Sequence, residues 1–276
     1  MNFHLKYANG IFKFLDANQT TYTNINYSNG ISGQGIAYLN CIFHLSDEEI
    51  KIKLKNYIDI IIEKQSITVS WIISDKEKYK TTRGFARGAA GIIYFLLQYS
   101  LKYKDNYALE SAERGLNWLK KVAIYHKDKI DWKSTNNKKI DPWWCEGAPG
   151  ISLTFMKAYS IFKTDQYKKI AYGALLNNPD KIVNNNLSQY DGLCGLGELY
   201  LEAFKIFKEE IWINRAEWIM QVVMQMKKEH NLYGPYWLVK NERQPVIDFM
   251  TGSSGLIHFL LRYCFQDRIS FPLLGQ

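Results

Sequence analysis

The chain has 276 residues, 47% of them hydrophobic and 15% aromatic, which is enough for one large core and too evenly patterned for two unlike domains. Its net charge of +8 is spread over separate lysines such as Lys51, Lys53, Lys55, Lys102, Lys104, Lys227 and Lys228, and with no dense basic tract or reading motif it argues against nucleic acid and for an acidic peptide or protein partner. The four cysteines, Cys41, Cys145, Cys194 and Cys264, include no C-x-x-C pair, which points to neither a zinc knuckle nor a disulfide framework and fits a reducing compartment. The N-terminus, Met1-Asn-Phe-His-Leu-Lys6, lacks an export signal and no apolar run approaches the length of about 20 residues that spans a bilayer, so a cytoplasmic protein without a membrane is expected.

Along the chain a frame of two glycines separated by two residues returns five times: Gly30-Ile-Ser-Gly33, Gly88-Ala-Ala-Gly91, Gly147-Ala-Pro-Gly150, Gly192-Leu-Cys-Gly195 and Gly252-Ser-Ser-Gly255. Subtracting residue numbers, the first glycines lie 58, 59, 45 and 60 residues apart, room for two helices and two connections per unit. After each pair the apolar residues continue at helical spacing, as in Ile92, Ile93, Phe95, Leu96 and Leu97, or Leu199, Leu201, Phe204, Ile206 and Phe207; these are candidate inner helices. The amphipathic stretches 107–125 (Leu109, Ala112, Leu116, Trp118, Leu119, Val122) and 209–228 (Ile211, Ile213, Trp218, Ile219, Val222, Val223) are candidate outer helices. Polar segments such as Lys127-Asp128-Lys129 and Asn184-Asn185-Asn186 suit surface loops between them.

Alternating inner and outer helices predict an all-α fold, a toroid or a solenoid, and the glycine motifs at the inner-helix N-termini favour an α/α toroid of about five helical hairpins. On this reading the glycines let helix ends crowd around an axis, and the unpaired N–H groups there make the centre hospitable to an anion. Packing alone is the plainer role for any one pair.

In Gly84-Phe-Ala-Arg-Gly-Ala-Ala-Gly91, Trp144-Cys-Glu-Gly-Ala-Pro-Gly150 and Ser188-Gln-Tyr-Asp-Gly-Leu-Cys-Gly-Leu-Gly-Glu198, the chain resembles the lanthionine synthetase C-like family, the cyclases of lanthipeptide biosynthesis. The resemblance runs over nearly the whole chain and implies a single domain spanning 1–276. The motif order is similar to the last five of the family's seven hairpins, the first two being apparently absent. Such a truncated ring implies a partner chain, self-association or tighter closure to cover an apolar edge.

In zinc-dependent members the resemblance implies a metal held by the cysteine of a W-C-x-G motif and by a Cys-His pair before the next glycine motif, leaving a fourth place for water or a substrate thiolate. Cys145 matches the first ligand. Keeping Gly192 and Gly195 on the family glycines puts Tyr190-Asp191 where Cys-His would stand and makes Cys194 a packing residue; placing Cys194 on the family cysteine breaks the frame. Arg87 replaces a frequent family histidine, Asp141 stands where an arginine is usual, and Glu146 follows Cys145. None of His4, His44, His126, His230 and His258 falls at a motif position, and His258 reads as a satisfied helix residue. No cofactor is therefore expected, zinc being the alternative, and the closest likeness in character is to the zinc-less cyclase domains of class III synthetases.

The resemblance implies thioether formation, the Michael addition of a precursor-peptide cysteine to a dehydroamino acid. That reaction needs a base for the thiol, a donor for the enolate oxygen and an acid for its carbon. Arg87, Asp141, Cys145, Glu146 and Asp191 are the candidate catalytic residues, with Arg87 as a permanent cation and Asp191 or Glu146 moving the proton if enclosure raises its pKa. Tyr190 and Trp144 are candidate substrate contacts, although tryptophans here also suit the core. Arg87, Asp141, Glu146 and Asp191 together sum to one positive and three negative charges, so a further cation or a protonated acid is expected beside them. The same residues also suit a non-catalytic scaffold that binds precursor peptide or a synthetase component. A glycosidase on the same architecture would need two carboxylates across a sugar cleft, and no such pair stands out.

Overall fold

The structure, a computed structural model, describes residues 24–41, 47–66, 71, 82–133, 141–232, 234–240, 242–266, 268–271 and 274. The N-terminal segment Met1–Lys6, with His4, and also His44 lie outside them. The described residues hold nine α-helices and two short β-hairpins in two compact units. None of these helices is long and apolar enough to cross a membrane.

The first unit contains α1 (Ile31–Cys41), α2 (Asp47–Glu63), α3 (Ala89–Tyr103) and α4 (Asn106–Lys121). Helix α3 is the inner helix the apolar run predicts: every residue from Ala89 to Ser100 is buried. Its partner α4 buries one stripe, Ala108, Ala112, Leu116 and Leu119, at helical spacing and turns its charges outward. At Gly115 a Cβ would meet the Ile93 and Trp71 side chains at 2.7 and 2.9 Å, so the small residue lets the two layers close. The buried Trp71 spends its indole N–H on the Ile61 carbonyl at 2.9 Å.

The second unit contains α5 (Ala148–Phe162), α6 (Asp165–Leu175), α7 (Leu193–Phe207), α8 (Glu210–Gln225) and α9 (Ser253–Cys264), together with the turn 83–85. Helices α5 and α6 form one antiparallel pair and α7 and α8 another, and α7 lies between α5 and α9. Trp212 on α8 is fully buried between the rings of Tyr172 (4.7 Å between centroids) and Tyr200 (6.0 Å). Arg215, one turn along, is buried over Tyr200 and Trp212 and donates to the Asn178 carbonyl at 3.0 Å.

Two expectations need correction. The outer helices stop at Lys121 and Gln225, short of the stretches predicted for them, and the chain continues as the antiparallel hairpins β1–β2 (Ile124–His126, Lys129–Asp131) and β3–β4 (Lys228–His230, Gly234–Tyr236). Lys127-Asp128 is the tip of the first, with Lys127 at φ 49°. Ile124 and Tyr125 favour a strand as much as a helix, and their apolar character extended the helical pattern falsely. The Asn184–Asn186 segment is not simply a surface loop either, because Asn186 is 8% exposed and organises the backbone before α7.

The glycine pairs open the inner helices as the motif spacing predicts. Gly88, Gly147, Gly192 and Gly252 are the N-caps of α3, α5, α7 and α9, with extended backbone at φ −126°, −92°, −142° and −126°, which any residue adopts. Side chains are excluded by the preceding loop and, at Gly195 and Gly255, also by the neighbouring motif, where a Cβ would lie 2.6 Å from the Trp144 ring and 2.4 Å from Gln189 Cγ. A Cβ at Gly192 would lie 2.5 Å from the Asn186 carbonyl oxygen, and Cβ atoms at Gly33, Gly150, Gly195 and Gly255 would overlap the carbonyl oxygen six residues earlier in each case. That loop also takes up helix donors: the N–H groups of Ile31, Ala89, Leu193 and Ser253 donate to the carbonyls of Asn24, Thr82, Asn186 and Val246, at 2.7 to 3.0 Å. The first N–H groups of these helices are thus satisfied by the chain itself, which removes them from the anion-attracting centre expected from the sequence.

Candidate active site

Cys145 sits on the turn that leads into α5, between Asp141 and the N-cap Gly147. The turn is set by Asp141, whose Oδ1 accepts from the Trp143 N–H at 2.9 Å, and by the Gly147 N–H, which donates to the Trp143 carbonyl at 2.8 Å. Gly84, in the G-F-A-R motif, lies against the same turn: a Cβ there would be 2.6 Å from Glu146 Cα. Trp144 is buried rather than displayed. Its ring meets Phe85 (5.6 Å), Tyr190 (6.1 Å) and Phe271 (6.5 Å), and its indole N–H donates to the Gln189 carbonyl. Tyr190 is half-buried and hangs from the Met250 carbonyl by its backbone N–H at 2.9 Å.

Asp191 closes the loop before α7. Its Oδ1 accepts from Ser188 Oγ at 2.8 Å and Asn186 Nδ2 at 3.1 Å, while Oδ2 pairs with Lys240 Nζ at 2.6 Å. Lys240 was not singled out in the sequence, and no local pattern marks it: it reaches Asp191 from 49 positions away, from a residue held in the left-handed conformation at φ 58°. It is the kind of further cation that the charge sum calls for.

Electrostatics separate the two aspartates. Burial raises the pKa of Asp141 above the usual carboxylate value, the Trp143 N–H opposes this, and the charge of Asp191 adds to it. Burial acts on Asp191 in the same direction, but the hydrogen bonds from Lys240, Asn186 and Ser188 and the Lys240 charge outweigh it and leave its pKa lowered. Asp191 is therefore a fixed anion, and the enclosure that would suit it to proton transfer acts on Asp141 instead. Cys145 is 3% exposed. Burial, then the charges of Asp141, Glu146 and Asp191, push its thiol far above the ordinary value. Arg87 belongs to the first unit, is exposed, and accepts from Thr82 Oγ1 at 2.5 Å through its carbonyl.

A second polar cluster lies between α7 and α9. Glu198, fully buried, accepts from Arg262 Nη1 at 2.5 Å and from Gln189 Nε2 at 3.1 Å, and lies 2.9 Å from His258 Nδ1. Arg262 also pairs with Glu202. His258 is thus the partnered helix residue expected of it. Cys194 is fully buried, and burial with the nearby Glu198 charge raises its pKa well above the ordinary thiol value.

These residues do not fit a three-ligand zinc site. Among the described residues no three His, Cys, Asp or Glu side chains converge to hold a metal ion. Both Asp191 oxygens are already engaged, one of them by a cation. A single thiol beside a carboxylate already paired with a cation is a poor donor set for Zn²⁺.

Comparison with known proteins agrees with the motif reading. The structure is similar to that of a nisin cyclase, with a TM-score of 0.68 and 18% identity over 92% of this chain and 67% of that one. It is also similar to a GH76 α-mannanase of Bacteroides thetaiotaomicron, with a TM-score of 0.56 and 12% identity over 86% of this chain and 68% of that one. Both likenesses are of fold, and they place the helical-hairpin array in the α/α toroid class. A family model for lanthionine synthetase C-like protein matches residues 4–274. With that match over nearly its whole length and its glycine-opened helices, the chain belongs to the lanthionine synthetase C-like family.

Proposed function

We propose that this chain is a zinc-independent lanthipeptide cyclase-like protein that forms thioether bonds in a precursor peptide. The observation that carries the reading is Asp141, a carboxyl of raised proton affinity adjoining Cys145 on the family's W-C turn. In the proposed reaction the Asp141 carboxylate takes the proton of a peptide cysteine thiol. The thiolate forms a C–S bond to the β-carbon of a dehydroalanine or dehydrobutyrine, and the C=C electron pair moves onto the amide oxygen as an enolate. The enolate α-carbon then takes the proton back from Asp141, which returns to its starting state. Glu146 and Asp191 keep the turn anionic, and Tyr190 lines the substrate's path. Cys145 stays protonated and does not act as nucleophile or ligand.

The test is thiol consumption in a dehydrated precursor peptide, with and without prior chelation. Chelated protein should consume thiols well above the buffer rate with no zinc bound by elemental analysis. A rate equal to buffer, or one that depends on stoichiometric zinc, overturns the proposal. The second reading, a scaffold that binds precursor peptide or a synthetase partner without chemistry, is favoured by the burial of Cys145 and Trp144. Peptide retained in a pull-down without thiol loss is its signature.

A further inference from the structure

The site's anions are paired with a residue that the motifs do not include. The loop that carries Asp191 lies against the Cys145 turn, since the Trp144 indole N–H donates to the Gln189 carbonyl and its ring meets Tyr190 at 6.1 Å, and Lys240 lies 2.6 Å from Asp191 Oδ2. Three features make this more than a surface ion pair. The carboxylate is held from its other oxygen by Ser188 and Asn186, so it is an oriented acceptor. The lysine backbone is in the left-handed conformation, which is disfavoured for a residue with a side chain and fixes where the side chain leaves the loop. The lysine side chain is still 44% exposed, and an ammonium has three N–H donors, of which Asp191 takes one.

We infer that Lys240 is the oxyanion donor of this site, supplying from the chain itself the positive charge that the proposed addition needs. The inference rests on the cyclase reading above. As the C–S bond forms, the C=C electron pair moves to the substrate amide oxygen, and a Lys240 N–H donates a hydrogen bond to that oxygen. The lysine keeps its proton throughout; the proton delivered to the α-carbon is the one Asp141 took from the thiol. Asp191 is the positioning residue, keeping the ammonium aimed. A donor that acts on charge present only in the transition state lowers the turnover rate when removed and leaves ground-state binding nearly unchanged.

The experiment compares wild type with Lys240→Met and Lys240→Arg on the same dehydrated peptide, with thermal melting to confirm that each variant is folded. The expected result is a fall in kcat of about 100-fold for Lys240→Met with KM within about twofold, and recovery to within about tenfold of wild type for Lys240→Arg. Asp191→Asn, should Lys240→Met fail to fold, is expected to lower kcat in the same way. Unchanged kcat in these variants with an active wild type overturns the role of Lys240 and leaves the cyclase reading standing. A loss confined to KM, or no recovery with arginine, also overturns it. An inactive wild type overturns both.

Discussion

Cys145, Cys194 and Cys264 differ in ways that a thiol reagent reads directly. Cys264 is exposed, Cys145 is 3% exposed with a thiol pushed up by burial and three carboxylates, and Cys194 is fully buried beside Glu198. Since the thiolate is the reactive form, iodoacetamide at pH 8 should label Cys264 within minutes and leave Cys145 and Cys194 unmodified until the protein is unfolded. Peptide mapping by mass spectrometry checks this, and rapid labelling of Cys145 would show an ionised, accessible thiol instead. At this scale the site is half legible in the sequence. Cys145, Asp141 and Asp191 stand at motif positions and can be found by register alone. Lys240 cannot, because a salt bridge across 49 positions leaves no periodicity, and Glu198, although inside a quoted motif, shows its Arg262 and His258 partners only once α9 is laid beside α7.

Among the elements, the inner helices are the most legible, since burial on every face writes a continuous apolar run. The short hairpins after α4 and α8 are the least, because three-residue strands carry too little alternation to displace a helical pattern. The reversals at Lys104, Lys163 and Lys208 were equally silent. Each is in the left-handed conformation at an inner-helix C-terminus, with φ 53°, 54° and 58°, where glycine is the usual signal. The glycine frame, by contrast, makes a strong prediction. At Gly150 an added Cβ would overlap the Trp144 carbonyl oxygen and press on Phe85, so relief needs the backbone of the Cys145 turn to move. Gly150→Ala should cost about 3 kcal/mol or more in urea denaturation, well beyond an ordinary helix glycine-to-alanine change, which is stabilising. Equal or raised stability would mean that the turn is loosely held.

For the molecule as a whole, fold and chemistry separate. A nisin cyclase and an α-mannanase share this architecture, so the helical array does not choose a reaction; the residues on the turns do. The array also has a buried electrostatic bond of long range, from Glu198 on α7 to Arg262 and His258 on α9. Glu198→Gln keeps the shape but leaves Arg262 with one carboxylate partner fewer in a buried site. The expected loss is about 3 kcal/mol, read as a lowered denaturation midpoint with unchanged helical circular dichroism. A midpoint equal to wild type would show that Glu202 alone holds Arg262.

The loops that fold back over the inner helices set what can vary in this protein. Because a carbonyl six residues upstream rests on Gly33, Gly150, Gly195 and Gly255, the loop length there is fixed by backbone contact. A one-residue insertion there would dislodge the clamp, whereas exchanging the intervening side chains leaves it untouched. Tyr190 and Asp191 lie inside such a clamp, between the Gln189 carbonyl and Gly195. Different side chains at these positions, and with them different chemistry, are therefore compatible with one scaffold.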